Sequence, residues 1–542
     1  MATIVSAPGI NSNTSLPGSW LNLVFGAGPI TGATGPLSAI IIGDGYGGTA
    51  ATSGFANGNT VFGPDTAIQL NSVQQARSLF GTNSELTFAI KKFLEKNSIT
   101  PLYVIPIQDS TIGNLGAAAF TVSGTSATIT NQANVYVNTT LLQVGISVGD
   151  TPTVIGNNIA SAINMQYLPV VTTASTGAVT IKAGSAGARN TPSVQVVLQT
   201  VDSGAGGISV GSVTTTAGTC STTMATTFAA AITTMSANKY YYQIVLPSMD
   251  EASTTYASVI EAFSANLTTQ ALPLNDNRSR GFLSFRGKST DALYTTAFAP
   301  GSAGAPGELS KAVNSNPLLQ VYWFPGSDAV PAESLAGWVA IEALLEAQTN
   351  IGASFNMNSA GLTTINGINT AALWNVPQPR SRWIESATAL NNALNVGLSP
   401  FSYVNGQSYL VRRVTADAWD SVNSVPFYNI RDVHKVYCLH RFALDLKAVL
   451  SQWLSGRLLQ ADPIDKNAPI PLNTVFPSTV RAGVINLINR YAGNGLITNP
   501  TTTIGNMVIQ VSPTVSTRLE LKLGMFVADI LNQIVTEIDQ LG

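Results

Sequence analysis

With 542 residues the chain exceeds the roughly 250–300 that one hydrophobic core supports, so several domains are expected. Hydrophobic residues make up 45% of it and charged residues only 10%, against about 25% in ordinary soluble proteins. The formal net charge of −2 excludes the basic footprint of a nucleic-acid binder, and so sparse a charge suits a surface that faces other subunits better than that of a free monomer.

Residues 1–36 are rich in Gly, Pro, Ser and Asn and read as an extended arm. The opening MATIVSAPGINSNTSLPG lacks the basic and apolar stretches of a signal peptide, and no apolar run reaches about 18 residues, so a chain made in the cytoplasm without membrane contact is expected. Ser38 to Ile42 reads as a buried strand. In IQLNSVQQARSLFGTNSELTFAIKKFLEKNSITPLYVIPI, from Ile68 to Ile107, Val73, Ala76 and Phe80 recur at helical spacing and Gly81 ends that helix. Ser84 is the N-cap of a second helix with Leu86, Ala89, Ile90 and Phe93 on one face. Pro101 stops it, and Leu102 to Ile107 is a short apolar strand.

From Ser110 to Thr216 alternating strands are separated by Gly- and Asn-rich turns, and only Asp150, Lys182, Arg189 and Asp202 are charged. One helix interrupts them, capped by Asp150 or Thr151, with Ile155, Ile159, Ala162 and Ile163 as its apolar stripe. From Thr222 to Gln348 helices alternate with apolar strands: Thr222–Met235 before YYYQIVLP, Ala252–Leu267 before GFLSFRG, a helix around Leu293 before LQVYWF, and Ala332–Ala347 opened by Pro331. Such alternation argues a layered α/β domain with a mostly parallel sheet. Further on come a long helix from Asn429 to Leu454 and another from Ser478 to Ala492, capped by Ser478 and stopped by Gly493.

Several patterns imitate catalytic sites. Gly43, Gly45 and Gly48 match a dinucleotide fingerprint, but the following TAATSGFANGNTVFG is too rich in Gly and Asn to be the helix that takes the pyrophosphate. GISVG at Gly145–Gly149 and Gly207–Gly211 matches a nucleophile elbow, yet Ser147 reads as mid-strand and Ser209 as followed by another strand. Cys220 and Cys438 lie far apart and read as reduced thiols. His434 and Cys438 share a helical face without enough partners for a metal; Asp445 is about 10 Å further along and His440 points elsewhere. No catalytic residue, cofactor or metal is expected. Arg380, Arg382, Arg412, Arg413, Arg431, Lys435 and Arg441 form a locally basic region, read either as a solvated face or as subunit and tube contacts.

Four stretches resemble, in order, the contractile tail sheath proteins of bacteriophages, especially the Mu-like group. They are SLFGTNSEL with PLYVIP; TVSGTSATIT, VGDTPTVIGNNIASAIN and LPVVTTASTGAVTIKAGSAGARN; AESLAGWVAIEALLEAQTN; and FSYVNGQSYLVRRVTADA with FYNIRDVHKVYCLHRFALDLKAVL and SPTVSTRLELKLGMFVADILNQIVTEIDQ. The resemblance implies a multidomain α/β chain: an N-terminal arm at 1–36, the first part of the sheath core at 37–109, an inserted β-rich domain at 110–216, a layered, subtilisin-like but non-proteolytic α/β domain at 217–398, an α+β C-terminal domain at 399–526 and a C-terminal arm at 527–542. It further implies a homo-oligomer of stacked hexameric rings around an inner tail tube, meeting baseplate and tail terminator proteins, assembled in the host cytoplasm and carried in the virion. Neither nucleic acid nor membrane is an expected partner. On the same analogy Arg481, Asn486, Asn489 and Arg490 are tube-attachment candidates, with the Asn429–Leu454 helix as the rival. The β-rich domain is expected to be a surface insertion outside the lattice, so a short Gly/Ser linker in its place should leave polymerisation intact. A phage-derived, pyocin-like particle is the alternative function; a hydrolase, a dinucleotide-binding enzyme and a secreted β-rich adhesin are the more distant ones.

Overall fold

The computed structural model describes residues 37–45, 66–107, 114–291 (except 222, 252, 273, 274 and 276), 316–348, 383–404, 407–420, 425–426, 431–451, 453, 457–463 and 473–528. The expected arm at 1–36, most of the expected arm at 527–542, the helix around Leu293, Gly48, Arg380 and Arg382 lie outside these residues.

The chain is a mixed α/β protein with several sheets. Its first part comprises β1 (Ala39–Asp44), β2 (Ile68–Leu70), α1 (Val73–Phe80), α2 (Glu85–Lys96) and β3 (Leu102–Ile107). Gly81 ends α1 with a φ of 83°, and the Ser84 hydroxyl accepts from the Thr87 N–H to cap α2. The next part holds β4 (Ala117–Ser123), β5 (Asn131–Val137), β6 (Thr140–Ile146), α3 (Pro152–Asn164), β7 (Val170–Ser175), β8 (Ala178–Ala183), a 3-10 turn (Ala188–Asn190), β9 (Val194–Leu198), β10 (Ser209–Val210) and β11 (Thr214–Thr216). Then follow α4 (Met224–Ser236), β12 (Tyr242–Val245), α5 (Thr254–Gln270), β13 (Arg280–Phe285), β14 (Leu319–Trp323), α6 (Pro331–Gln348), α7 (Ala387–Asn395), β15 (Leu398–Val404) and β16 (Gln407–Leu410). The last part has the small pair β17 (Trp419–Asp420) and β18 (Val425–Pro426), α8 (Val433–Ser451), the pair β19 (Leu458–Leu459) and β20 (Thr474–Val475), α9 (Pro477–Gly493), α10 (Pro500–Gly505), β21 (Val508–Val511) and β22 (Leu519–Lys522).

One eight-stranded sheet runs β16-β15-β14-β13-β12-β1-β3-β2. Its six central strands are parallel, and β2 and β16 close the edges antiparallel. Both faces are covered, which is why the strands read as continuous apolar runs. Ile40 and Ile42 of β1 join Ile105, Val245, Leu283 and Val321 beneath α4 and α5, while Ala39 and Ile41 join Val104, Ile244, Phe282 and Tyr322 beneath α2 and α6. β15 starts one residue before the expected C-terminal domain at 399 and pairs with β14, so that segment belongs to this sheet.

In the β-rich part, β10-β4-β8-β7 with β11 form one sheet and β6-β5-β9 another, with α3 packed against them. Thr151 caps α3, and alternate residues such as Val135, Val144 and Ile146 point inward. This part packs against α2. Its apolar residues continue into the same cluster as Leu86 and Phe88 of α2, and the first turn of α2 is buried all round: Glu85, Leu86, Thr87 and Phe88 are each under 4% exposed. Asn83 Nδ2 donates to the carbonyls of Leu168 and Val170, each at 2.8 Å. These contacts tie the β-rich part to the start of α2.

A third cluster sits under the C-terminal helices. Phe442 and Leu446 of α8 meet Val480, Val484, Leu487 and Tyr491 of α9, with Met507 and Met525 closing it. α8 begins at Val433, four residues after the expected Asn429. α9 begins with Pro477; Ser478 is not its cap, and the Ser478 N–H instead donates to Asp462 Oδ1 at 3.0 Å. Ser478 lies inside the first turn opened by Pro477, and the Phe476 carbonyl accepts from the Thr479 and Val480 N–H groups.

Candidate functional site

Helix α9 carries the contact candidates. Val480, Val484, Leu487 and Tyr491 are buried as their spacing predicts, which leaves Asn486, Asn489 and Arg490 exposed together at i, i+3 and i+4. Arg481 does not join them. Its Nη1 donates to the Met507 carbonyl at 2.7 Å and its Nη2 to the Ile504 carbonyl at 2.9 Å, so it satisfies the free end of α10. Arg490 Nη2 donates to Asp445 Oδ2 at 2.5 Å, and the Tyr491 hydroxyl donates to the same oxygen at 2.8 Å. Burial raises the Asp445 pKa against the opposing pull of Tyr491 and Arg490. The Arg490 side chain is 57% exposed, so it can meet a partner while keeping this contact.

The basic region does not form one face. Arg412 binds both carboxylate oxygens of Asp432, through Nε at 2.9 Å and Nη2 at 2.8 Å. The adjacent Arg413 points the other way and is 1% exposed, against the expectation of a surface residue. Its Nη1 donates to Glu342 Oε1 at 2.8 Å and to Glu346 Oε1 at 3.3 Å. Arg280, at the start of β13, donates through Nη1 to both Glu346 oxygens at 2.8 and 3.0 Å, and through Nη2 to Gln320 at 2.6 Å and to Glu342. Tyr242 donates to Glu346 at 2.7 Å, Tyr322 donates to Glu342, and the Tyr437 hydroxyl donates to the Glu346 carbonyl at 3.1 Å. Two arginines balance two glutamates in a space without solvent, joining the sheet, α6, α8 and the segment after β16. Such a group serves register and rigidity. Sequence reasoning missed it, although Glu342 and Glu346 stand one helical turn apart in the otherwise apolar LAGWVAIEALLEAQ.

The chemistry-like motifs stay apart. Ser147 follows β6 rather than lying within it and is exposed, its N–H held by Asp150 Oδ2 at 2.8 Å. The Ser209 hydroxyl sits 2.9 Å from that of Ser123 across β10 and β4. Gly43 lies within β1 and Gly45 just past it. Among the described residues no three His, Cys, Asp or Glu side chains are placed to hold a metal. His434 is buried with Nε2 3.2 Å from the Ala528 carbonyl, and burial pushes its pKa down to about 4. Burial likewise raises the Cys438 thiol well above its ordinary range. His440, edge-on to Tyr241 with ring centres 5.8 Å apart, is pushed well down by burial and by Arg278 and Arg280. These groups are neutral packing residues at pH 7. Among the described residues no helix is long and apolar enough to cross a membrane.

No family model matches the chain. In the solved structures, a sheath tail protein from Desulfitobacterium hafniense aligns over 94% of this chain and 100% of its own, with a TM-score of 0.41 and 10% identity, too loose a likeness to carry an argument about the fold. Over 116 residues the chain is 27% identical to the Mu-like prophage FluMu tail sheath protein of Haemophilus influenzae, a match that takes in 21% of this chain. It spans 24% of the length of that curated relative, so the similarity is to part of a phage tail sheath protein.

Proposed function

We propose that this chain is the structural sheath subunit of a contractile phage tail. The observation that carries the reading is the 116-residue similarity to a tail sheath protein. A chain with only 10% charged residues, which suits a surface buried between copies, supports it. In this reading copies stack as hexameric rings around an inner tail tube, in contact with baseplate and tail terminator proteins, and terminal arms add strands to neighbouring subunits. Assembly stores the energy that contraction releases when the tube is driven through the host envelope. The subtilisin-like layering expected for such a subunit is part of the same proposal, as is its place in the virion.

The exposed trio Asn486, Asn489 and Arg490 is the proposed tube-facing patch, and Arg481 leaves it. Contacts that must break during contraction suit polar, exposed side chains, each ion pair being worth about 0–1 kcal/mol. Negative-stain microscopy of the purified full-length chain tests the reading. Hollow sleeves of uniform diameter are expected; a chain that stays monomeric at high concentration and forms no tubular polymer would overturn it.

A further inference from the structure

The joint between the β-rich part and the α/β sheet contains a carboxyl group with an unusual setting. Glu85, the first residue of α2, is 2% exposed, and its N–H donates to the Ser185 hydroxyl at 2.9 Å. Glu85, Pro169, Ser185, Asn190, Val330 and Ala332 line a cleft between the two parts that is too tight to admit a water molecule. The cation beside it is Arg189, and that guanidinium is committed elsewhere. Its Nη1 donates to the Pro247 carbonyl at 3.0 Å, its Nη2 to the Ser284 carbonyl at 2.6 Å and hydroxyl at 3.1 Å, and its Nε lies 3.0 Å from Glu251 Oε1. The Asn190 amide and the Asp44 backbone also favour the charged carboxylate; Pro169, Val330 and Ala332 bring no charge.

We infer that Glu85 makes this joint a protonation-controlled latch, closed while the carboxyl is neutral and loosened when the carboxylate forms. An ion cannot be hydrated in so tight a cleft, whereas opening the joint lets water reach it. Burial pushes the Glu85 pKa from 4.5 to about 7, against the pull of Arg189, Asn190 and Asp44. For an acid raised in the closed form, closure is strongest below pH 4.5, weakens as pH climbs to about 7, and is constant above that. The device therefore responds between about pH 4.5 and 7.

Amide hydrogen exchange of residues 184–191 in the full-length chain, corrected for intrinsic rates and followed from pH 4.5 to 8.5, reads the latch. The opening equilibrium of the wild type is expected to rise about tenfold per pH unit and level off near pH 7, a total of up to about 300-fold. Glu85→Gln, which cannot ionise, is expected to stay within about twofold across the range. A flat wild-type profile overturns the latch, as does a Glu85→Gln profile that tracks the wild type. Should Glu85→Gln not fold, Glu85→Met is the second neutral variant, and the wild-type profile remains decisive alone.

Discussion

Replacing Glu342 by Gln removes one charge from the buried quartet while keeping its shape. Arg280 and Arg413, both 1% exposed, would then face a single carboxylate, Glu346, leaving an excess positive charge with no water to screen it. Breaking a buried pair on one side typically costs about 3–5 kcal/mol, and Gln should lie near the lower end because it can still accept from Tyr322. Against a total stability of about 5–15 kcal/mol that is a large fraction. A chain of this size unfolds through intermediates, so the readout must be local: urea unfolding followed by hydrogen exchange of β13, β14 and α6. Pairing Glu342→Gln with Arg413→Met restores one cation to one anion. The double variant should therefore lose at least about 2 kcal/mol less than the sum of the singles. A loss under about 1 kcal/mol for Glu342→Gln, or additive singles, would refute the view that these charges depend on one another.

The same carboxyl sets an acid limit. Burial pushes its pKa up, but Arg280 and Arg413 outweigh that and hold it below the ordinary 4.5, so its contribution is complete above about pH 4.5 and is lost at lower pH; acid unfolding of the sheet should shift to higher pH in Arg413→Met. Arg189→Ala removes the Glu251 ion pair and the donors to the Pro247 and Ser284 carbonyls and should weaken the joint by up to about 3 kcal/mol, read as faster proteolysis between β3 and β4. A Cβ at Gly184 would lie 1.8 Å from the Asn83 carbonyl oxygen, so Gly184→Ala should loosen the same joint while β12 to β14 keep their exchange protection. The triple variant Asn486→Ala, Asn489→Ala, Arg490→Ala should sediment less with purified tubes at nearly unchanged stability, whereas Arg481→Ala should destabilise α9 and α10 by about 1–2 kcal/mol. Unchanged tube binding by the triple variant would move the attachment site to α8 or elsewhere.

Local chemistry carried much of the architecture. Ser84 and Thr151 cap helices because a hydroxyl in extended backbone reaches the orphan N–H groups of the next turn, and Gly81 ends one because its backbone adopts a positive φ. The inward residues of α9 follow from a period of 3.6 and the alternation in β6 from a period of 2, so both were legible without a fold. These signals lie within a few residues of one another.

What tertiary structure alone decided involves partners far apart in the chain. Nothing near Arg412 and Arg413 says that one meets Asp432 at the margin while its neighbour enters the interior to meet Glu342 and Glu346. The chemistry of Arg481 and Arg490 is the same, and only the position of α10 makes one a brace and leaves the other exposed. The weakly charged β-rich part looked like a separate surface domain, but its few charges include Arg189, which anchors it to the sheet. Charge placement escapes local periodicity because a buried ion is stable only where distant segments bring its counter-ion and exclude water, and that is settled when the sheet, the helices and the insertion pack together.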